Sequence, residues 1–155
     1  MTKWLFLLFI PFSTFAQTWS WGVKATGSHQ TGGDLEIVAD NEGNTVVAGY
    51  FQKELILGNF RLYTEDDYYS DIFLAGISND GKVLWARQMD AGSSYGNQIG
   101  LATDDDRNIY LTGADRGYIF AAKYDPEGNE IWKNNFNYKY NGYGASIATD
   151  QFDNV

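Results

Sequence analysis

The apolar residues of this chain come in short bursts, not at helical spacing. From residue 35 onward, brief runs of Val, Ile, Leu, Phe, Tyr and Ala alternate with clusters of Asp, Asn, Gly and Pro, as in strands joined by tight turns. Residues 100–103, 109–112, 119–124 and 130–133 make one such set of four. In 72–77 (IFLAGI), Phe73, Ala75 and Ile77 fall on one face and Ile72 and Leu74 on the other, which predicts a strand buried between two layers. No stretch sustains a 3.6-residue period, so the expected fold class is all-β.

The bursts repeat. Residues 37–49 (IVADNEGNTVVAG) return as 101–113 (LATDDDRNIYLTG) and begin again at 147 (IATDQFDNV). Each copy keeps an Asp with an Asn four residues on: Asp40 and Asn44, Asp104 and Asn108, Asp150 and Asn154. A second block, 72–87 (IFLAGISNDGKVLWAR), recurs as 119–134 (IFAAKYDPEGNEIWKN), which aligns Phe73 with Phe120, Gly81 with Gly128 and Trp85 with Trp132. Trp21 stands at the matching distance before the first block. The first copy is longer than the second by about 17 residues, placed within 52–71, against a basic period of about 46 that suits four-stranded β-propeller blades.

The expectation is therefore a β-propeller region over 17–155, of about two and a half antiparallel repeats starting near 37, 101 and 147. The Gly in DNEGN, NDGK and DPEGN would take a positive φ and the Asp would cap the turn. Trp85 and Trp132 would supply the large contacts between blades. Residues 19–23 have the register of a fourth strand with no blade of their own before them, and the third copy stops early in its second strand. An incomplete ring is expected, its remaining blades lying beyond Val155.

The first residues change the address of the molecule but not its fold. Lys3 is followed by an apolar run from Trp4 to Ala16 that ends on the small residues Thr14 and Ala16, which predicts a signal peptide over 1–16 and a secreted or cell-surface product. The run is interrupted by Pro11 and shorter than the about 20 residues of a membrane span, so no membrane insertion is expected after cleavage. There is no cysteine, hence no disulfide framework or thiolate site. A net charge of −9 argues against nucleic acid as partner, and 17% aromatic residues support a substantial core.

The repeated residues resemble the SBBP family of bacterial β-propeller repeats. The second copy carries that pattern as Asp104, Asn108, Tyr110 and Gly113, then Phe120 and Lys123, then Gly128 and Trp132. The first keeps Asp40, Gly43, Asn44, Gly49, Asp71, Phe73, Gly81 and Trp85, with Val46 and Gly76 where the aromatic and the lysine fall. The resemblance implies a module of a large secreted or surface protein, with further blades and a C-terminal sorting or adhesion domain. The Gly-to-Trp ending is also similar to the tryptophan-docking repeats of quinoprotein propellers, although Asp80 and Glu127 stand where those have Thr.

Candidate chemistry is sparse. Residues 92–96 (GSSYG) satisfy G-x-S-x-G, but the single histidine, His29, lies upstream in a Gly- and Ser-rich connection and has no partner for a triad or a metal. Asp104, Asp106 and Asn108 have the oxygen spacing of a calcium loop, with Asp115 at its twelfth position and Ile109 where the loop needs Gly. Glu65, Asp66, Asp67 and Asp71, interleaved with Tyr63, Tyr68 and Tyr69, offer an acidic aromatic patch or a plain exposed loop. Residues 134–144 (NNFNYKYNGYG) have the composition of an adaptable contact loop. Ligand-contact candidates are Tyr68, Tyr69, Tyr138, Tyr140 and Tyr143; no catalytic residue and no cofactor are assigned, calcium at Asp104, Asp106 and Asn108 being the one metal candidate. The expected function is a non-catalytic scaffold or binding module for protein or glycan at inter-blade loops. The alternatives are an extracellular glycan hydrolase or lyase, and a calcium-stabilised repeat array.

Overall fold

The computed structural model describes residues 20–27, 35–65, 67–93, 98–136, 146–150 and 154. The predicted signal peptide, His29, Asp66 and residues 137–145, with Tyr138, Tyr140 and Tyr143, lie outside them. The described residues are all-β, in three antiparallel sheets without a helix.

The first four-stranded sheet orders β2 (Leu35–Ala39), β3 (Thr45–Phe51), β6 (Ser70–Ile77) and β7 (Val83–Ser93). The second orders β8 (Gly100–Thr103), β9 (Ile109–Asp115), β10 (Tyr118–Tyr124) and β11 (Glu130–Phe136). The second is a plain meander, and the first is a meander interrupted between β3 and β6. The insert that lengthens the first copy forms the hairpin β4 (Glu54–Leu57) and β5 (Phe60–Tyr63), and β1 (Ala25–Gly27) pairs with β4 to complete a small third sheet.

β6 is buried along its whole length, as its two apolar faces require. Phe73 and Ala75 join Phe51, Leu55, Leu57 and Ala86 in a cluster beneath the small sheet. Ile72 and Leu74, on the opposite face, join Tyr50 and Trp85 against Ile99, just before β8, and Leu111, Phe120 and Tyr124 of the second sheet. The two four-stranded sheets thus stack face to face through one continuous apolar seam.

Residues 20–24 make no ladder among the described residues, and pairing starts at Ala25 on the edge of β4; the fourth strand expected around Trp21 was to pair with strands beyond Val155. Ahead of the Glu65 to Asp71 stretch, for which an exposed loop was one expectation, the insert is a hairpin that Leu55 and Leu57 bury against β6.

Candidate functional site

Three features of the stacked sheets bear on function. The first is a turn. Asp40 Oδ1 accepts from Asn44 N at 2.8 Å while Oδ2 accepts from Asn44 Nδ2 at 3.0 Å. The same clasp closes Asp104 on Asn108 (2.7 and 2.8 Å), Asp150 on Asn154 (3.0 and 2.9 Å) and, in the β10–β11 turn, Asp125 on Asn129 (2.7 and 2.8 Å). In the β6–β7 turn Ser78 replaces the Asp: its hydroxyl bonds to Lys82 N and to Asp80. Gly43 takes φ +80° in its turn, and Arg107 occupies the equivalent place at φ +66°.

The clasp at Asp104 is the most elaborate, for Tyr110 donates to Oδ2 at 3.0 Å and Lys123 Nζ stands at 3.5 Å. Burial opposes ionisation of Asp104, yet the hydrogen bonds from Asn108 and Tyr110 and the charge of Lys123 outweigh it and hold the carboxyl below its ordinary range. Asp106 is exposed, and Asp115 lies at the far end of β9 from Asp104. Among the described residues no group of three His, Cys, Asp or Glu side chains is placed to hold a metal ion.

The second feature is tryptophan docking. Trp85 Nε1 donates to Pro126 O of the second sheet at 3.0 Å, and its indole lies between Gly76 of its own sheet and Gly128 across the seam. A Cβ on Gly128 would stand 2.6 Å from Trp85 Cε3, so only glycine fits, and its φ of +76° favours glycine as well. Trp21 repeats the contact one sheet earlier: Nε1 donates to Asn79 O at 2.9 Å and the ring lies on Gly81. Equivalent turns also meet along the seam, Asn41 Nδ2 with Asp105 O at 2.8 Å and Glu42 with Arg107 at 2.7 Å. The third copy begins the same way, with Thr149 Oγ1 donating to Thr103 O at 2.8 Å. Trp132 is half-buried and meets Tyr110 of its own sheet edge to face at 6.5 Å.

The third feature is a cleft of about 570 Å³ where the outer strands of the two sheets diverge. Its lining includes Ile72, Leu74 and Met89 from the first sheet and Asp115, Tyr124 and Lys133 from the second. Burial, with the nearby charge of Glu130, pushes the Tyr124 phenol up, so it stays neutral. Asp115 and Arg116 stand at the cleft because β9 and β10 are joined by the two-residue turn Arg116-Gly117, with φ of +48° and +84°, the primed geometry that matches hairpin twist.

The structure divides the acidic aromatic patch. Asp71 is buried: its Oδ1 accepts from Ala91 N at 3.1 Å and its Oδ2 from Gln88 Nε2 at 2.8 Å. Glu65 and Asp67 are exposed, and Asp67 stands 3.7 Å from Lys53. Tyr68 is 81% exposed and Tyr69 lies beside it, also exposed. β7 runs through Gly92 into Ser93, and residues 94–97 of the G-x-S-x-G stretch are outside the described residues. Sequence reasoning missed the cleft. Its signal was available in the repeat alignment, where Asp115 and Lys133 stand opposite Phe51 and Ala86 of the first copy.

The chain matches no family model, and no curated protein is significantly similar to it.

Proposed function

We propose that the stacked sheets are blades of a β-propeller of the SBBP repeat type, exported to the cell surface or medium, which acts as a non-catalytic scaffold that binds glycan or protein where blades meet. One observation carries this reading. The same indole-on-glycine contact, with an indole N–H on a turn carbonyl, recurs at two successive repeat positions, Trp21 on the turn of the first sheet and Trp85 on the turn of the second. A contact that recurs once per repeat propagates one rotation from sheet to sheet, and repeated rotation of meanders about their first strands generates a propeller.

The uncovered faces support the same arrangement. Leu35 and Ile37 are 57% and 60% exposed on β2, whereas their counterparts in the second copy, Ile99 and Leu101, are buried and half-buried at the seam with the first sheet. In this reading another sheet covers Leu35 and Ile37 as the first sheet covers Ile99. Electron microscopy of the protein purified from the culture medium tests it. A disc with a central channel is expected; an open or elongated stack overturns the propeller reading, and recovery only from the cell interior overturns the export.

A further inference from the structure

The outer end of the seam has a counterpart on the far face of the first sheet, and the two differ in chemistry. In repeat register Asp115 replaces Phe51, Tyr124 replaces Ile77, Glu130 replaces Val83 and Lys133 replaces Ala86. Phe51 and Ala86 are buried with Val83 against the small sheet. The four replacements line the cleft.

A charged residue facing solvent requires no ligand, but Asp115 is only 6% exposed. Its Oδ2 accepts from Lys133 Nζ at 2.6 Å, while its Oδ1 is buried without a hydrogen-bond partner, 3.9 Å from the Arg116 guanidinium. With two cations that close, Oδ1 lacks a donor and not a counter-charge. The lining as a whole is balanced, Arg87, Arg116 and Lys133 against Asp90, Asp115 and Glu130, so no net field selects a phosphate or a polyamine. Such a mixture of donors and acceptors suits hydroxyl groups, each of which both donates and accepts.

We infer that this cleft binds a neutral saccharide residue, one hydroxyl donating to Asp115 Oδ1 and its neighbours accepting from Arg116 and Lys133. The C–H face of the ring rests on the half-buried Met89, backed by Ile72 and Leu74 beneath it, and the volume falls in the range of small-ligand pockets. Arg116 admits the hydroxyl: its side chain is 60% exposed and its short ion pair is with Asp90, 69% exposed, a pair that yields at little cost. The inference names the ligand of the scaffold proposed above and rests on that reading.

The test is an NMR titration of the full chain, labelled at Met, Ile and Leu methyls, with glucose, galactose, mannose, N-acetylglucosamine and the disaccharides maltose and cellobiose. Saturable shifts at Met89, Ile72 and Leu74 are expected for at least one sugar, weakened about tenfold or more in Asp115→Asn, the loss of one charge-assisted hydrogen bond. Arg116→Asn, which keeps a residue tolerant of positive φ in the turn, is expected to weaken binding severalfold, and it serves if Asp115→Asn does not fold. The inference is overturned by no shift at these methyls up to tens of millimolar sugar, by equal binding in both variants, or by saturation with inorganic phosphate or spermidine instead. Saturable shifts confined to other residues overturn the cleft while leaving a glycan-binding scaffold intact. Failure of the scaffold reading registers separately, as an open stack in the microscope.

Discussion

The two four-stranded sheets share a chain path, a turn clasp and a tryptophan position, yet they spend their outer faces differently. The first covers the face around Phe51 and Phe73 with an inserted hairpin and fills the space with Leu55, Leu57 and Phe60. The second sets its equivalent face against the first sheet and, where the strands diverge, lines a cleft with Asp115, Tyr124 and Lys133. A repeat preserves what every seam needs, the indole on a glycine and the clasped turn. Positions between those devices are free to vary, apolar beneath the hairpin and polar along the cleft.

The sharpest break of this comparison is at the seam itself. Trp85→Ala removes the indole between Gly76 and Gly128 together with its bond to Pro126 O, and is expected to cost about 3–5 kcal/mol, read from the urea midpoint. Trp132→Ala is expected to cost less, since Lys123 stands where Gly76 lies under Trp85 and the ring is half-buried. Equal losses would contradict the unequal packing.

The clasps give the next effect. Asp104→Ala is expected to lose about 1–3 kcal/mol, because it strands Tyr110 and Asn108 around a buried site. Asp40→Ala should lose less, since Val46 replaces the tyrosine in that copy. A larger loss at Asp40 would reverse the order assigned to the two turns.

Acid should act through the same groups. The Asp104 carboxyl lies below its ordinary range, as does that of Asp125, where burial is outweighed by the hydrogen bonds from Asn129 and Glu127 and the charge of Arg87. A depressed carboxyl stabilises the fold in full above the unfolded-state value near 4 and gives that stability up as pH falls through the folded value. Thermal midpoints should therefore hold steady from about pH 7 to 5 and drop below about pH 4. Asp104→Asn should flatten part of that drop, and an unchanged acid profile in the variant would remove Asp104 from the account.

The smallest effect concerns the left-handed residue of the clasped turn. Arg107 holds φ +66° where the first copy has Gly43, and its ion pair with Glu42 is exposed on the acidic side. Arg107→Gly is expected to be neutral or to stabilise by up to about 1 kcal/mol, relief of backbone strain set against a weak surface pair. A clear loss of stability would show that the Arg107–Glu42 contact matters more to the seam than its exposure suggests.

Much of the fold was legible in the sequence for a definite reason. Strand period, turn residues and repeat register all act locally, and they placed β8 to β11, the Asp-to-Asn turns and the two faces of β6 where the structure has them. The hairpin of the insert was not legible, because its short ELIL and FRLY runs lie beside an acidic aromatic stretch whose composition reads as loop. Asp71 shows the limit. Its place in that stretch suggested exposure, but it begins a wholly buried strand and caps the amide of Ala91. The cleft stayed hidden because it arises from two sheets 40 to 60 residues apart in sequence, roughly one repeat. Only the comparison of equivalent positions, Asp115 with Phe51 and Lys133 with Ala86, carried any trace of it.

The contact that joins the sheets can be observed directly through the Trp85 indole proton, which bonds to Pro126 O across the seam. Hydrogen exchange followed by NMR should show that Nε1–H as strongly protected as the central amides of β6, with the protection abolished in Gly128→Val while β6 itself stays protected. A Trp85 indole that exchanges at the rate of an exposed one in the unaltered protein, with the β6 amides still slow, would contradict the stacked seam on which this account is built.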